Sequence, residues 1–313
     1  MLRQLKVRAR AVRARLDGPE LRAARQLVRR LRTDPPDVLY FGDSTNFAFH
    51  ADGDTRQLGQ MLQDLLGTSV SVHPIAGGGY HPAVVEAFLQ IVAQSESRPV
   101  VATSTSVRMQ YDAWLKHPSY TYAREIDALR AVNVRDPLYR IRCGLAKPTP
   151  ADFQSYEALI HPTMLGDLAI RDYQVVLKDP DRIGTPEWLR WMYAYHHTAR
   201  TGADGLGQLA RLGATLAALG CPVVAYVAPI CVDRGVELLG QSFREIVTDN
   251  LATVAGTFAG AAGEKAVILH NGTSFAPEEY VDPDDATEHL NGQGRLRLST
   301  MVAEQVERLL PSR

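Results

Sequence analysis

The chain has 313 residues, 45% of them hydrophobic and 22% charged, a globular composition long enough for one large domain or two small ones. It contains no run of eighteen or more apolar residues, so no membrane span is expected. The opening stretch MLRQLKVRARAVRARL is basic but lacks the apolar segment and small-residue cleavage site of a secretory signal, which points to a cytoplasmic protein.

Cys143, Cys221 and Cys231 are odd in number, scattered and without CxxC spacing. That pattern fits a reducing compartment and small core hydrophobes. It speaks against a disulfide framework or a zinc-thiolate site.

The net charge of −1 hides an asymmetry. Residues 1–33 hold eleven Arg or Lys against Asp17 and Glu20, an excess of nine positive charges on an otherwise acidic chain. A basic arm over residues 1–36 is therefore expected, able to meet an anionic partner or a homo-oligomer mate. Leu21, Ala24, Leu27, Val28 and Leu31 recur at helical spacing behind Asp17-Gly-Pro19, a helix-opening sequence, so the arm also has a face to pack against the body.

After Pro35-Pro36, short apolar runs alternate with amphipathic segments. The runs are 37–41, 70–75, 99–102, 222–228 and 266–269, each bounded by Gly, Pro or Ser and suited to a buried parallel strand. Between them, Leu58, Met61, Leu62 and Leu65 form one helical stripe, and Val84, Val85, Phe88, Leu89 and Val92 another behind Pro82. Phe243, Ile246, Val247 and Val254 mark a third, and Met301, Val302 and Val306 the last. The alternation predicts an α/β fold over 37–313, a doubly wound, five-stranded, mostly parallel sheet.

Residues from about 106 to 221 exceed a simple crossover. They predict a helical insertion roofing the carboxyl ends of the strands, with one helix opening at Thr185-Pro186-Glu187 and another carrying Leu206, Leu209, Leu212 and Leu216. Trp188, Trp191, Tyr193 and Tyr195 read as insertion core, and His196-His197 as a poor metal site, because adjacent helical residues face different ways. Gly202, Gly205 and Gly207 read as a turn before the next helix. His81 reads as a core or capping histidine. No phosphate-loop or dinucleotide fingerprint is present, so no metal, nucleotide or other cofactor is expected.

Two stretches carry chemistry. Phe41-Gly42-Asp43-Ser44 follows the first strand, where a tight turn can expose a nucleophilic serine beside free backbone N–H groups. Near the other end, Asp285-Ala-Thr-Glu288-His289-Leu-Asn291-Gly-Gln-Gly294-Arg295 precedes the final helix. A histidine there, after the fifth strand, can return to the end of the first.

This pair of motifs, in this order and spacing across most of residues 37–310, resembles the first and last blocks of the SGNH (GDSL-type) hydrolase superfamily, whose sheet is flavodoxin-like. The Tyr226-Val-Ala-Pro229-Ile string, Gly240, Phe243 and Asn250, with the Glu288-His289-Leu-Asn291 ending, look like a divergent bacterial branch. The resemblance implies Ser44 as nucleophile, His289 as general base and Gly79, of Gly77-Gly78-Gly79, as an oxyanion donor. The sequence departs from the family twice. The asparagine of the third block is replaced by Thr103-Ser104-Thr105-Ser106-Val107-Arg108, leaving Ser104, Ser106 or Arg108 to take its part. The usual Asp-x-x-His becomes Asp285 four residues before His289, with Ala at 286 and Glu288 adjacent.

Asp285 is then the expected triad acid. Glu288, on the opposite side of an extended loop, is expected to face the substrate or an arginine. The implied activity is serine-dependent acyl transfer, hydrolysis of a small-molecule or carbohydrate ester by an esterase or deacetylase. The alternatives are an acyltransferase using the same acyl-enzyme and a non-catalytic SGNH-like binding protein.

Overall fold

The computed structural model describes residues 18–48, 53–130, 149–159, 185–199, 204–270, 272–282 and 287–311. Five short strands, β1 Val38–Gly42, β2 Val72–Ala76, β3 Val100–Thr105, β4 Val223–Val227 and β5 Ala266–Leu269, make an all-parallel sheet. Their order is β2-β1-β3-β4-β5. Every residue of β1 and β4 is buried, as their unbroken apolar sequences VLYFG and VVAYV require of strands covered on both faces. The expected mostly parallel sheet is thus wholly parallel. Its chain order reverses between β1 and β3, the switch point at whose carboxyl ends open α/β sheets bind ligands.

The helices are α1 Pro19–Thr33, α2 Leu58–Leu66, α3 Pro82–Val92, α4 Asp112–Leu115, α5 Ala123–Arg130 and α6 Pro150–Leu159. They continue with α7 Pro186–Tyr195, α8 Asp204–Leu219, α9 Val232–Leu239, α10 Gln241–Ala262 and α11 Gly292–Leu309. They contact one another in two groups. Helices α2 and α11 pair, while α8 packs against both α3 and α10. Buried residues of both groups join the sheet in one apolar core. No helix among the described residues is long and apolar enough to cross a membrane.

Helix α1 starts at Pro19, whose missing N–H costs nothing in a first helical turn. It buries Leu21, Ala24, Leu27 and Leu31 and packs on α3 and α5. Residues 1–17, which hold the rest of the basic segment, lie outside the described residues, as does Cys143. Cys221 and Cys231 are buried free thiols.

Three sequence expectations are corrected. In α2 the last turn tips Leu66 inward and leaves Leu65 40% exposed, because the chain reverses at Gly67 (φ 71°) directly after it. Gly205 and Gly207 lie inside α8 rather than in a turn before it. A side chain at Gly205 would sit 2.6 Å from the Gln110 backbone, so glycine there permits close approach of the helix. His196 and His197 follow the helix instead of lying on it, His196 being the C-cap of α7. The buried Trp188, Trp191 and Tyr195 are core residues, as read from the sequence.

Candidate active site

β1 delivers its chain directly into the site. Asp43 caps a single 3₁₀ turn over Ser44–Asn46, its Oδ1 accepting from Thr45 N at 2.9 Å and Thr45 Oγ1 at 2.6 Å. This aspartate-driven turn, a familiar local use of Asp, leaves Ser44 half-buried just past the carboxyl end of β1. No side chain fits at Gly42, where a Cβ would meet the Tyr40 ring at 2.9 Å and Asn46 Cβ at 3.0 Å.

Beneath this turn lies a polar floor. Tyr40 Oη and Tyr226 Oη, from β1 and β4, share a hydrogen bond of 2.6 Å. Burial pushes the Asp43 carboxyl above its ordinary value, with the Thr45 bonds and the Arg108 charge partly opposing.

The His289 side is assembled from distant parts. Leu290 bridges antiparallel to Tyr280, Val281 N donates to His289 O at 3.0 Å, and Asn291 N donates to Glu279 O at 2.9 Å. Thr287 Oγ1 accepts from His289 N at 2.9 Å. Asn291 caps α11, its Oδ1 accepting from Gln293 N and Gly294 N, both at 3.1 Å. Arg295, wholly buried, donates to Leu290 O at 2.9 Å and to Asp54 O at 2.6 Å, so it joins the stretch after the histidine to the stretch preceding α2.

These two constructions meet. His289 Nε2 lies 3.0 Å from Ser44 Oγ, across a separation of 245 residues. Burial, reinforced by the nearby Arg108 charge, holds the imidazole down to about 4. At neutral pH it is therefore uncharged, the form whose Nε2 can take a proton from the hydroxyl.

Glu288, next in sequence, points elsewhere. Its carboxylate is fully buried and bonded to Arg108 Nη2, which follows β3. Burial pushes Glu288 up to about 7, with Arg108 opposing and Asp43 adding to the rise. Of its two expected directions, toward substrate or toward an arginine, the structure has the arginine. Its other carboxylate oxygen, Oε2, is buried without a hydrogen-bond partner among the described residues.

Ser106 is likewise wholly buried, near Glu288, and its Oγ has no hydrogen-bond partner among the described residues. Arg108 keeps 12% of its side chain exposed and lies 4.6 Å over the Trp114 ring. Asp285 lies outside the described residues.

Gly79 stands in a turn after β2. Gly77 N donates to Gly42 O at 3.2 Å, continuing the β1–β2 pairing to within two residues of Ser44. Gly79 has φ 75°, and a Cβ there would lie 2.6 Å from the Tyr120 ring, so the position requires glycine twice over. Among the described residues, no acceptor takes the N–H of Ser44 or of Gly79. His81, just beyond, caps α3 and bonds Gln208 Oε1 at 2.9 Å, in keeping with a capping role.

Sequence reasoning missed Asp43 as the cap that shapes the Ser44 turn, although Asp two residues before Thr is a recognisable turn signal. It also missed the Tyr40–Tyr226 pair and the aromatic loop of Trp114, Tyr120 and Tyr122, for which nothing in the sequence alone gives a signal. No protein-family model matches this chain, and no curated protein matches it.

Proposed function

We propose that this protein is a serine-dependent acyl-transfer enzyme of SGNH type that hydrolyses an ester of a small molecule or carbohydrate. The observation that carries the reading is the 3.0 Å contact between Ser44 Oγ and His289 Nε2. A hydroxyl and an uncharged imidazole at that distance, at the carboxyl end of a parallel sheet, are equipped for nucleophilic attack. A doubly wound sheet with a helical insertion between β3 and β4 belongs to the same reading. It is supported by the two groups of helices and by the segments that separate those strands.

In this mechanism Ser44 Oγ bonds to the ester carbonyl carbon while its proton passes to His289 Nε2. The carbonyl π electrons move onto oxygen, where the Ser44 and Gly79 N–H groups receive the developing charge. Collapse expels the alcohol, which takes the proton from His289, and leaves an acyl-Ser44. Water, deprotonated by the same imidazole, then releases the acid and restores the serine. Arg108 follows the third strand, in the stretch where the resembled family carries its asparagine. It contributes positive potential near the reacting atoms, and its pairing with Glu288 fixes its place.

The test is turnover of p-nitrophenyl esters by the wild-type protein and by Ser44→Ala. Loss of turnover with an unchanged melting temperature supports the reading, because a half-buried turn hydroxyl contributes little to stability. Hydrolysis by the variant at the wild-type rate refutes it.

A further inference from the structure

The glycine turn has a geometry that its own residues permit but do not select. Tyr80 N donates to Gly77 O at 3.2 Å, closing a four-residue turn over Gly77-Gly78-Gly79-Tyr80. Its third residue, Gly79, has φ 75°, while Gly78 has no positive φ, the pattern of a type II turn. Type I and type II turns differ by a flip of the middle peptide, here the one joining Gly78 to Gly79. With glycine at both central positions, the chain itself sets little preference between the two orientations.

Tyr122 supplies that preference. Its Oη donates to Gly78 O at 2.5 Å. Tyr122 has φ 48°, and among the described residues it is the only non-glycine residue with positive φ. A tyrosine held in this disfavoured region signals a local constraint imposed by its surroundings. Its ring packs edge-on against Tyr80, with centroids 5.3 Å apart at 84°. The preceding Thr121 O lies 3.4 Å from His81 Nε2, and the Tyr120 ring covers Gly79. The 120–122 loop is thus seated on the glycine turn through Tyr120 and Tyr122 and on the adjoining His81 through Thr121.

The peptide between Gly78 and Gly79 is planar and trans, so the Gly78 carbonyl and the Gly79 N–H point in opposite directions. Anchoring the carbonyl on Tyr122 turns the Gly79 N–H away from the loop, and no acceptor among the described residues uses it. We propose that Tyr122 is a positioning residue for acyl transfer, clamping the Gly78–Gly79 peptide so that the Gly79 N–H faces the oxyanion formed at Ser44. This inference rests on the Ser44 acyl-transfer reading above. Tyr122 touches no reacting atom in this scheme; it acts through the peptide it orients.

The experiment is saturation kinetics of labelling by an alkyl fluorophosphonate, whose phosphoryl oxygen takes the oxyanion's place as Ser44 Oγ displaces fluoride. Tyr122→Phe keeps the ring packing and removes one hydroxyl, so the variant is expected to fold with a melting temperature close to that of wild type. The maximal labelling rate should fall by about tenfold to a hundredfold, short of the hundredfold or more that follows loss of a donor outright. The half-saturating concentration and the pH profile, which report probe binding and His289, should not change. A general loosening of the structure would move those two as well. If Ser44 is labelled in wild type and Tyr122→Phe reaches the same maximal rate, the positioning role is refuted and the acyl-transfer reading stands. If wild type is not labelled at Ser44, both fall.

Discussion

Ser44 and His289, the nucleophile and base of the proposed reaction, reach the same 3.0 Å contact by opposite routes. Ser44 is placed locally: a buried strand ends, Gly42 allows the turn and Asp43 caps it, all within four residues. His289 is placed remotely. Its backbone is held by Val281, its loop by Arg295 reaching Asp54, and its neighbour Glu288 by Arg108 on another strand's end. A site half of which is built by short-range chemistry tolerates sequence change on that side only at a few positions. The other half depends on buried polar contacts spread over the chain, and there loss of one partner leaves an uncompensated buried charge.

The contrast can be broken most severely at the histidine. His289→Ala should lower ester turnover by about ten-thousandfold, with circular dichroism and melting temperature close to wild type, because it removes the proton acceptor and leaves the backbone bonds of the loop. Asp285→Asn comes next, with a loss of about a hundredfold or more expected if this residue fixes the imidazole tautomer. Glu288→Gln should harm turnover less than Asp285→Asn when rates are corrected for the folded fraction. It should instead destabilise the fold by about 3 kcal/mol, since Arg108 loses its charged partner in a buried setting. Urea unfolding of both variants beside their kinetics separates the two effects.

A subtler probe is the pH dependence of kcat/KM. His289 is the working base only when neutral, and its value near 4 means that activity should stay level through neutrality and fall as pH drops through about 4. Arg108 is one cause of that low value, because its positive charge disfavours the imidazolium. The double variant Arg108→Gln with Glu288→Gln removes the Arg108 charge without leaving a carboxylate unpaired at position 288. Its acidic limb should therefore move to higher pH, and a limb that stays in place would show that Arg108 does not act on His289.

The smallest effect on chemistry is expected far from the site. Leu27→Ala in α1 should cost about 2–5 kcal/mol of stability, as a large-to-small change in a closed core does, with kcat unchanged for the folded protein.

What could be read from the sequence follows the same division. All five strands were legible, because each is an apolar, β-branched run bounded by Gly, Pro or Ser, and so were the faces of α3 and α8. The Ser44 turn was legible for the same reason, being written in adjacent residues. His289 was legible only beside its motif, and the pairing of Glu288 with Arg108, 180 residues apart, only as one of two directions. Gly79 was legible as a glycine in a turn after the second strand. The tyrosine that fixes its peptide was not, since a positive φ at Tyr122 arises from tertiary packing and leaves no local pattern. Leu65 was misread because helical periodicity alone does not report where a chain reverses.

The most direct test of the central claim is to treat the wild-type protein with an alkyl fluorophosphonate at neutral pH and locate the adduct by peptide mass spectrometry. A single adduct on the Ser44 peptide, absent in Ser44→Ala and formed far more slowly in His289→Ala, is the expected result. No adduct on that peptide, or labelling of Ser44 at an unchanged rate without His289, would contradict the account.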